Sequence, residues 1–456
     1  MFIKRNAAIK RAFLSIKISL LAFFVLSCAT NRHLFTEIDA AVEQDDFFTA
    51  IEAIRRMQES HRVIYNEKNA ILLFLDKGLL EHYAGNYEES SADLQNAERL
   101  IEEAYTKSIT ERFFSYILND NVRAYPGEDF EDIYLNIFNA LNYYNRGNIE
   151  GALVEVRKLS MPNGKLDMLA RKYNYTDPGT GASLNDMVRK ETGVSRMPQT
   201  RAVNFSNSAL ARYLCALLYQ ADGNSDSARI EFDQIESAFY ANRTVYQNHV
   251  PGAVEQARNI PAGKARLNII GFTGLSPVKE ETVIIQFLPF QHPVLQIASF
   301  KLPNLVRRQS RITRIEVIVN EAGRFDLELL EDMGSVIEET FRARYANMFI
   351  KTYIRTIIKY AAADIAAIET TRQRNEFAGF TVALAARVAM SVSESADIRM
   401  SRFLPDKAYV GGINLDPGNY TVIINYYDGN NLIAQEQKET VVNIDGLNLL
   451  QTVNLK

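Results

Sequence analysis

The feature that most constrains the fold is a pattern that returns three times in the first half of the chain. Gly85-Asn86-Tyr87 follows Phe74 and Gly78 and precedes Ser90, Leu94 and Ala97. Ala140, Tyr143, Gly147, Asn148 and Ala152 fill the matching positions of a second copy, and Ala216, Tyr219, Gly223, Asn224, Ala228 and Phe232 those of a third. Each copy predicts two antiparallel helices: glycine makes the turn, small residues sit where the helices cross closely, and aromatics fill the groove between them. A degenerate fourth copy lies upstream at Asp46-Phe47, Ala50 and Ile54.

These positions resemble the tetratricopeptide repeat, a helical hairpin of about 34 residues. Here Gly85, Gly147 and Gly223 are 62 and 76 residues apart, so the hairpins are separated by other material. One gap carries the turn Pro126-Gly127 followed by Glu128, Asp129 and Glu131, carboxylates that favour the N-terminus of the next helix. The other contains Asp177-Pro178-Gly179-Thr180-Gly181-Ala182-Ser183, whose turn formers predict an exposed loop.

After about Ala265 the hydrophobic period changes from 3.6 to 2. Residues 283–288, 294–302, 312–320 and 324–330 read as strands, and helices rich in alanine return at 335–371 and 377–393. Strands resume at 409–415, 420–426, 433–444 and 449–455, with turns at Pro417-Gly418 and Asp428-Gly429-Asn430. The expectation is an α+β chain: a helical-hairpin domain at 28–262, resembling that repeat, then a β-sandwich-like domain. Its first part is 263–333, its helical insertion 334–395, and its completing strands 396–456.

The N-terminus predicts location. Lys4, Arg5, Lys10, Arg11 and Lys17 precede an apolar run at 18–27, and Val25-Leu26-Ser27-Cys28 resembles the lipobox at which bacterial lipoprotein precursors are cut and acylated. Residues 1–27 then form a signal peptide, and Cys28 carries an acyl anchor such as palmitate. The run is about half of what a bilayer span needs. The expected location is the periplasmic side of the cell envelope; Ala29, where Asp would mark retention in the inner membrane, points to the outer membrane. Removing five of 51 basic residues with residues 1–27 leaves 46 against 55 acidic, a balance of −9. That argues against nucleic acid, which demands a basic footprint, and leaves the acyl anchor as the membrane attachment. With Cys28 acylated only Cys215 remains, so no intramolecular disulfide is expected.

No catalytic or cofactor constellation stands out. His33, His61, His82, His249 and His292 are each isolated from metal-ligand spacing, and Cys215 sits in the apolar run Leu214-Cys215-Ala216-Leu217-Leu218, where cysteine behaves as a small hydrophobe. The glycines of the 177–183 loop lack the Gly-Lys-Ser/Thr of a phosphate-binding loop. Lys351, Arg355 and Lys359 form a basic stripe that suits a membrane surface, a partner helix or simply the outer face of a packed helix. Arg387 interrupts the second alanine-rich helix after ten uncharged residues, too few to span a bilayer. Glu128, Glu155, Arg157, Asp397 and Arg399 are the charges singled out, with ion pairing their simplest use.

Taken together, the stretches 123–131, 140–143, 151–157, 204–207, 274–281 and 394–399, with Leu404-Pro405, resemble uncharacterised tetratricopeptide-containing lipoproteins of Gram-negative bacteria and spirochetes. The chain departs where the resemblance would place a tryptophan, at Met400-Ser401-Arg402-Phe403. The resemblance implies envelope location and a repeat module joined to a second domain, and no activity. The functional expectation is a non-enzymatic scaffold binding envelope proteins through a groove along the hairpins. The alternative is a small-ligand-binding accessory of a transport system.

Overall fold

The computed structural model describes residues 32–59, 64–108, 121, 123–174, 205, 207–287, 297–374, 378, 379, 382, 386 and 395–456. Cys28 and its leader, the 177–183 loop, His61, His292 and most of the second alanine-rich helix lie outside these residues.

The architecture is α+β, helices first and sheets after. The helices run as α1 (Arg32–Glu43), α2 (Phe47–Glu59), α3 (Ala70–Tyr83), α4 (Tyr87–Ser108), α5 (Asp129–Asn145), α6 (Ile149–Ser160), α7 (Lys165–Asn174), α8 (Ala209–Ala221), α9 (Ser225–Ala241) and α10 (Gly252–Arg258). Gly85, Gly147 and Gly223 make the α3–α4, α5–α6 and α8–α9 turns with φ of 81°, 72° and 75°. Nothing lies within 4 Å of a Cβ at these sites, so the left-handed backbone, not lack of space, demands glycine. The asparagine after two of these glycines caps the next helix: Asn148 Oδ1 accepts from Gly151 N, and Asn224 Oδ1 from Ser227 N.

Two four-stranded sheets follow. The first has the order β10 (Asn448–Asn454), β1 (Ala265–Leu275), β7 (Pro405–Leu415), β6 (Glu328–Asp332), with β10 parallel to β1 and the rest antiparallel. The second has the order β5 (Gly323–Asp326), β4 (Arg314–Val319), β8 (Gly418–Asp428), β9 (Asn431–Val442). A separate hairpin joins β2 (Val278–Phe287) to β3 (Ile297–Val306), and α11 (Met333–Gln373), about 60 Å long at 1.5 Å per residue, links β6 to β7.

Strand alternation divides the apolar residues into two cores. Leu267, Ile269, Tyr409 and Leu450 of the first sheet cluster with Ile315, Val317, Val422 and Ile424 of the second. The opposite face of the first sheet, with Ile270, Phe272, Ala408, Val410 and Leu449, shares one continuous core with the helices. The Phe138 ring of α5 meets Phe272 of β1 at a tilt, with centroids 5.2 Å apart. The order of layers is helices, sheet, sheet.

The structure differs from the sequence expectation in two strands. β1 went unread because it is buried on both faces, which erases the polar–apolar alternation that marks a strand. The run at 324–330 is two strands: β5 pairs with β4 in the second sheet and β6 with β7 in the first, with the chain crossing between sheets at Leu327.

Candidate functional site

The first helix of each hairpin, α3, α5 and α8, is buried along most of its length. Each is bonded to the β half of the chain. Tyr83 Oη donates to Phe403 O at 2.8 Å, Tyr144 Oη to Leu447 O at 2.8 Å, and Tyr213 Oη to Asn268 Oδ1 at 3.3 Å. The faces along which a hairpin groove would open are therefore covered by the chain's own sheet.

The small residues of the repeated pattern sit at the helix crossings: Ala140, Ala152, Ala216 and Ala228 are buried, and a Cβ on Gly78 would lie 2.9 Å from Leu94. Tyr143 Oη accepts from Gln95 Nε2 at 2.6 Å, Tyr219 Oη bonds Ser160 Oγ at 2.8 Å, and the Tyr87 ring stands 5.6 Å from His82. His82 is sealed between Asn142 and Gln451, and burial lowers it to about 4 despite those hydrogen bonds, so it is neutral. Cys215 is buried, its thiol pushed far up by desolvation.

Three of the five singled-out charges converge at one place, where the segment before α5, the start of β2, the first half of α11 and the segment before β7 enclose a cavity of about 530 Å³. Pro126-Gly127 turns the chain into α5, with Gly127 at φ 80°, and so presents Glu128 to the cavity. Glu128 accepts from Lys279 Nζ at 2.6 Å and from Arg344 Nη1, while Arg344 Nη2 donates to Asp129 Oδ2 at 2.6 Å. Arg399 grips Asp397 through Nε and Nη2, both at 2.8 Å, and its Nη1 reaches Arg123 O at 2.8 Å. Burial would raise Asp397, but the Arg399 pair outweighs it and holds the carboxyl below its ordinary value. Glu155 lies elsewhere, buried and bonded to Asn136 and Lys158, and Arg157 is a half-exposed partner of Asp222.

The α11 wall is a single stripe. Ile337, Phe341, Arg344, Met348 and Lys351 follow one another at steps of four, three, four and three, which places them on one helix face toward the cavity. The basic stripe read from sequence is corrected here. Lys351 lines the cavity, Arg355 is buried, and the exposed residue of that turn is Ile358, at 52%. Thr352, Tyr353, Arg355 and Thr356 are all buried on one side of the helix, and Phe300 of β3 stacks at 5.1 Å on Tyr353, so Arg355 belongs to the packed side and not to an outer stripe.

Behind the cavity, Tyr125 Oη and the amides of Glu128 and Ser401 all donate to Glu131. Burial, with Glu128 nearby, lifts Glu131 to about 7. Asp76 receives Ser401 Oγ, Arg402 N and Tyr65 Oη, and burial lifts it to about 6 against those donors. These two acids bind the 395–404 segment to α3 and α5 and fix the cavity's back wall.

Lys279 and Arg344 were missed in the sequence. The stripe spacing of α11 was the available signal for Arg344; Lys279 sits in the 274–281 stretch, one of three stretches of the resemblance that meet here. Among the described residues no group of His, Cys, Asp and Glu is placed to hold a metal ion, and no helix is long and apolar enough to cross a membrane. No protein-family model matches the chain, nor does any curated protein or solved structure.

Proposed function

We propose that this chain is a non-enzymatic binding protein of the cell envelope, anchored through Cys28, that holds a small ligand in the cavity between α5, α11 and the segment before β7. The observation that carries this reading is the enclosure of Glu128, Lys279, Arg344, Asp397 and Arg399 around about 530 Å³ of space, within the range of small-molecule sites. Covering of α3, α5 and α8 by the sheet weighs against a groove that takes up a protein segment along the hairpins. The carboxylates engage neighbouring cations and amides, an arrangement suited to holding a site rigid rather than to moving protons.

We propose as well that the hairpins are tetratricopeptide-like, laid on a β-sandwich, in the lipoprotein family that stretches such as 123–131 and 274–281 resemble. Outer-membrane attachment on the periplasmic side follows from the leader and from Ala29.

Extraction of the purified chain tests the binding reading. Ala104 of α4 also lines the cavity. A small molecule recovered near one per chain, and lost when Ala104→Trp fills the cavity in a protein of unchanged melting temperature, supports it. Equal recovery from both proteins sinks it.

An adaptor for envelope proteins is the second reading. Its support lies on the outer helices, where Val154, Ile230 and Tyr240 are 49%, 48% and 80% exposed. Its test is capture of envelope proteins that Val154→Asp with Ile230→Asp abolishes; capture unaffected by that pair removes the outer face from consideration.

A further inference from the structure

We propose that the cavity takes an extended hydrocarbon chain, the tail of a lipid or of another single-chain amphiphile, and recognises the tail rather than the head group. This inference rests on the cavity being a ligand site, and it names the class of ligand.

One wall of the cavity is apolar along its length. Ile337, Phe341 and Met348 of α11 follow one another at steps of four and seven, a row about 16 Å long at 1.5 Å per residue. Arg344 falls within this row, but its guanidinium is taken up by Glu128 and Asp129. Phe130 of α5, Ala104 of α4 and Met400 before β7 face the same space. Phe341 and Met348 are only half-buried, so apolar surface beside the cavity remains to be covered. A row of this kind suits a long, narrow ligand, with the two methionines adapting to its shape. Each methylene that such a ligand buries strengthens the contact.

The polar side of the lining is already satisfied within the chain. Glu128 is met by Lys279 and Arg344, Asp397 by Arg399, and Arg123 and Lys351 have partners of their own. Among the described residues, no buried side-chain nitrogen or oxygen of this lining is without a hydrogen-bond partner, although such atoms occur elsewhere, as at Asn139 and Arg308. A site shaped for a polar head keeps desolvated donors or acceptors open for it, since an unpaired buried group is costly until the ligand arrives. What remains here for a ligand to meet is hydrocarbon. The ion pairs have a structural use instead: Arg344 ties α11 to the start of α5 and sets the width of the cavity.

The test is isothermal titration of the purified full chain, free of detergent and of co-purified small molecules, with hexanol, octanol, decanol, octanoate and octyltrimethylammonium, each below its micelle concentration. One alkanol binds per chain, and affinity rises about fourfold for each methylene from hexanol to decanol. Octanol, octanoate and octyltrimethylammonium bind within about fivefold of one another, less than the tenfold or more, roughly, that a hydrogen bond to a charged group contributes. Phe341→Ser and Met348→Ser each weaken all five probes about tenfold, and Arg344→Gln weakens them whatever the charge of the head. Melting curves accompany each variant, and Met348→Ser reports on the site if Phe341→Ser proves unstable. Repeating the titration with Cys28→Ala separates two sources of such a tail: unchanged affinity assigns a separate molecule, and a gain assigns the acyl group on Cys28. A preference of more than about tenfold for one head charge, or an affinity indifferent to chain length, overturns recognition of the tail but keeps the ligand site. Absence of binding by every probe, in both the full chain and Cys28→Ala, overturns both.

Discussion

Among the junctions that fasten the helices to the β half, one around Glu331 and one around Glu128 treat a carboxylate in opposite ways. Glu331 of β6 is fully buried and receives only neutral donors: Tyr134 Oη at 2.7 Å, Tyr246 Oη at 2.7 Å, Ser208 Oγ at 2.9 Å and Leu210 N at 3.1 Å. Burial raises this acid against those donors, and the hydrogen bonds around it form a closed set. Glu128 is partly exposed, is met by two cations, and borders open space rather than packed side chains. The first arrangement closes an interface; the second holds charges in place while leaving room between them. Buried carboxylates alone do not mark a ligand site, and an open volume beside charge-paired side chains is what separates the two.

The largest effect is expected at the closed junction. Glu331→Ala leaves the two tyrosines, Ser208 and the Leu210 amide without their acceptor in a sealed site. The expected loss is on the order of 3 kcal/mol or more in urea unfolding. Glu331→Gln keeps one acceptor oxygen and loses less.

Next is the back wall of the open junction. Glu131 titrates near 7 in the folded protein against an ordinary value of 4.5. Between those pH values the folded state retains a proton that the unfolded chain releases, so stability contributed by the protonated acid is lost as pH rises through that window. Glu131→Gln removes this dependence. Relative to wild type, the variant gains up to about 3 kcal/mol between pH 4.5 and 7.5, read from denaturation at each pH. A difference that does not change with pH contradicts the burial described here.

Smaller effects sharpen the contrast. Gly147→Ala places a side chain at φ 72° on a turn remote from both junctions, and costs about 1 kcal/mol. Arg344→Gln removes ion pairs at a side chain one-third exposed and lowers stability by less than about 1 kcal/mol, while it affects ligand binding strongly. A loss as large as that of Glu331→Ala would make Arg344 structural and erase the distinction between the junctions.

The helical half announced itself in the sequence because its signals are local. Gly85, Gly147 and Gly223 must take a left-handed turn, and Asn148 and Asn224 must cap the helices that follow. The sheets were harder to read where burial is two-sided: β1 carries Ile269 toward one core and Ile270 toward the other, so no alternation survives. The site is less visible still. Glu128, Asp397 and Arg399 drew notice as charges in marked stretches, yet Glu128 and Arg399 are about 270 residues apart, and only the fold puts them on one cavity. Lys279 comes from β2 and Arg344 from α11, which look in sequence like a solvated strand start and a surface helix position. Glu331 gave no local sign, because the tyrosines and serine that surround it come from α5, α8 and the segment after α9.

Hydrogen exchange with and without the small molecule extracted from the purified chain reads both junctions in one experiment. The account predicts slower exchange in 123–131, 341–351 and 397–400, with 207–214 and 328–332 unchanged. Protection at the Glu331 junction equal to that at the Glu128 junction, or at neither, would contradict it.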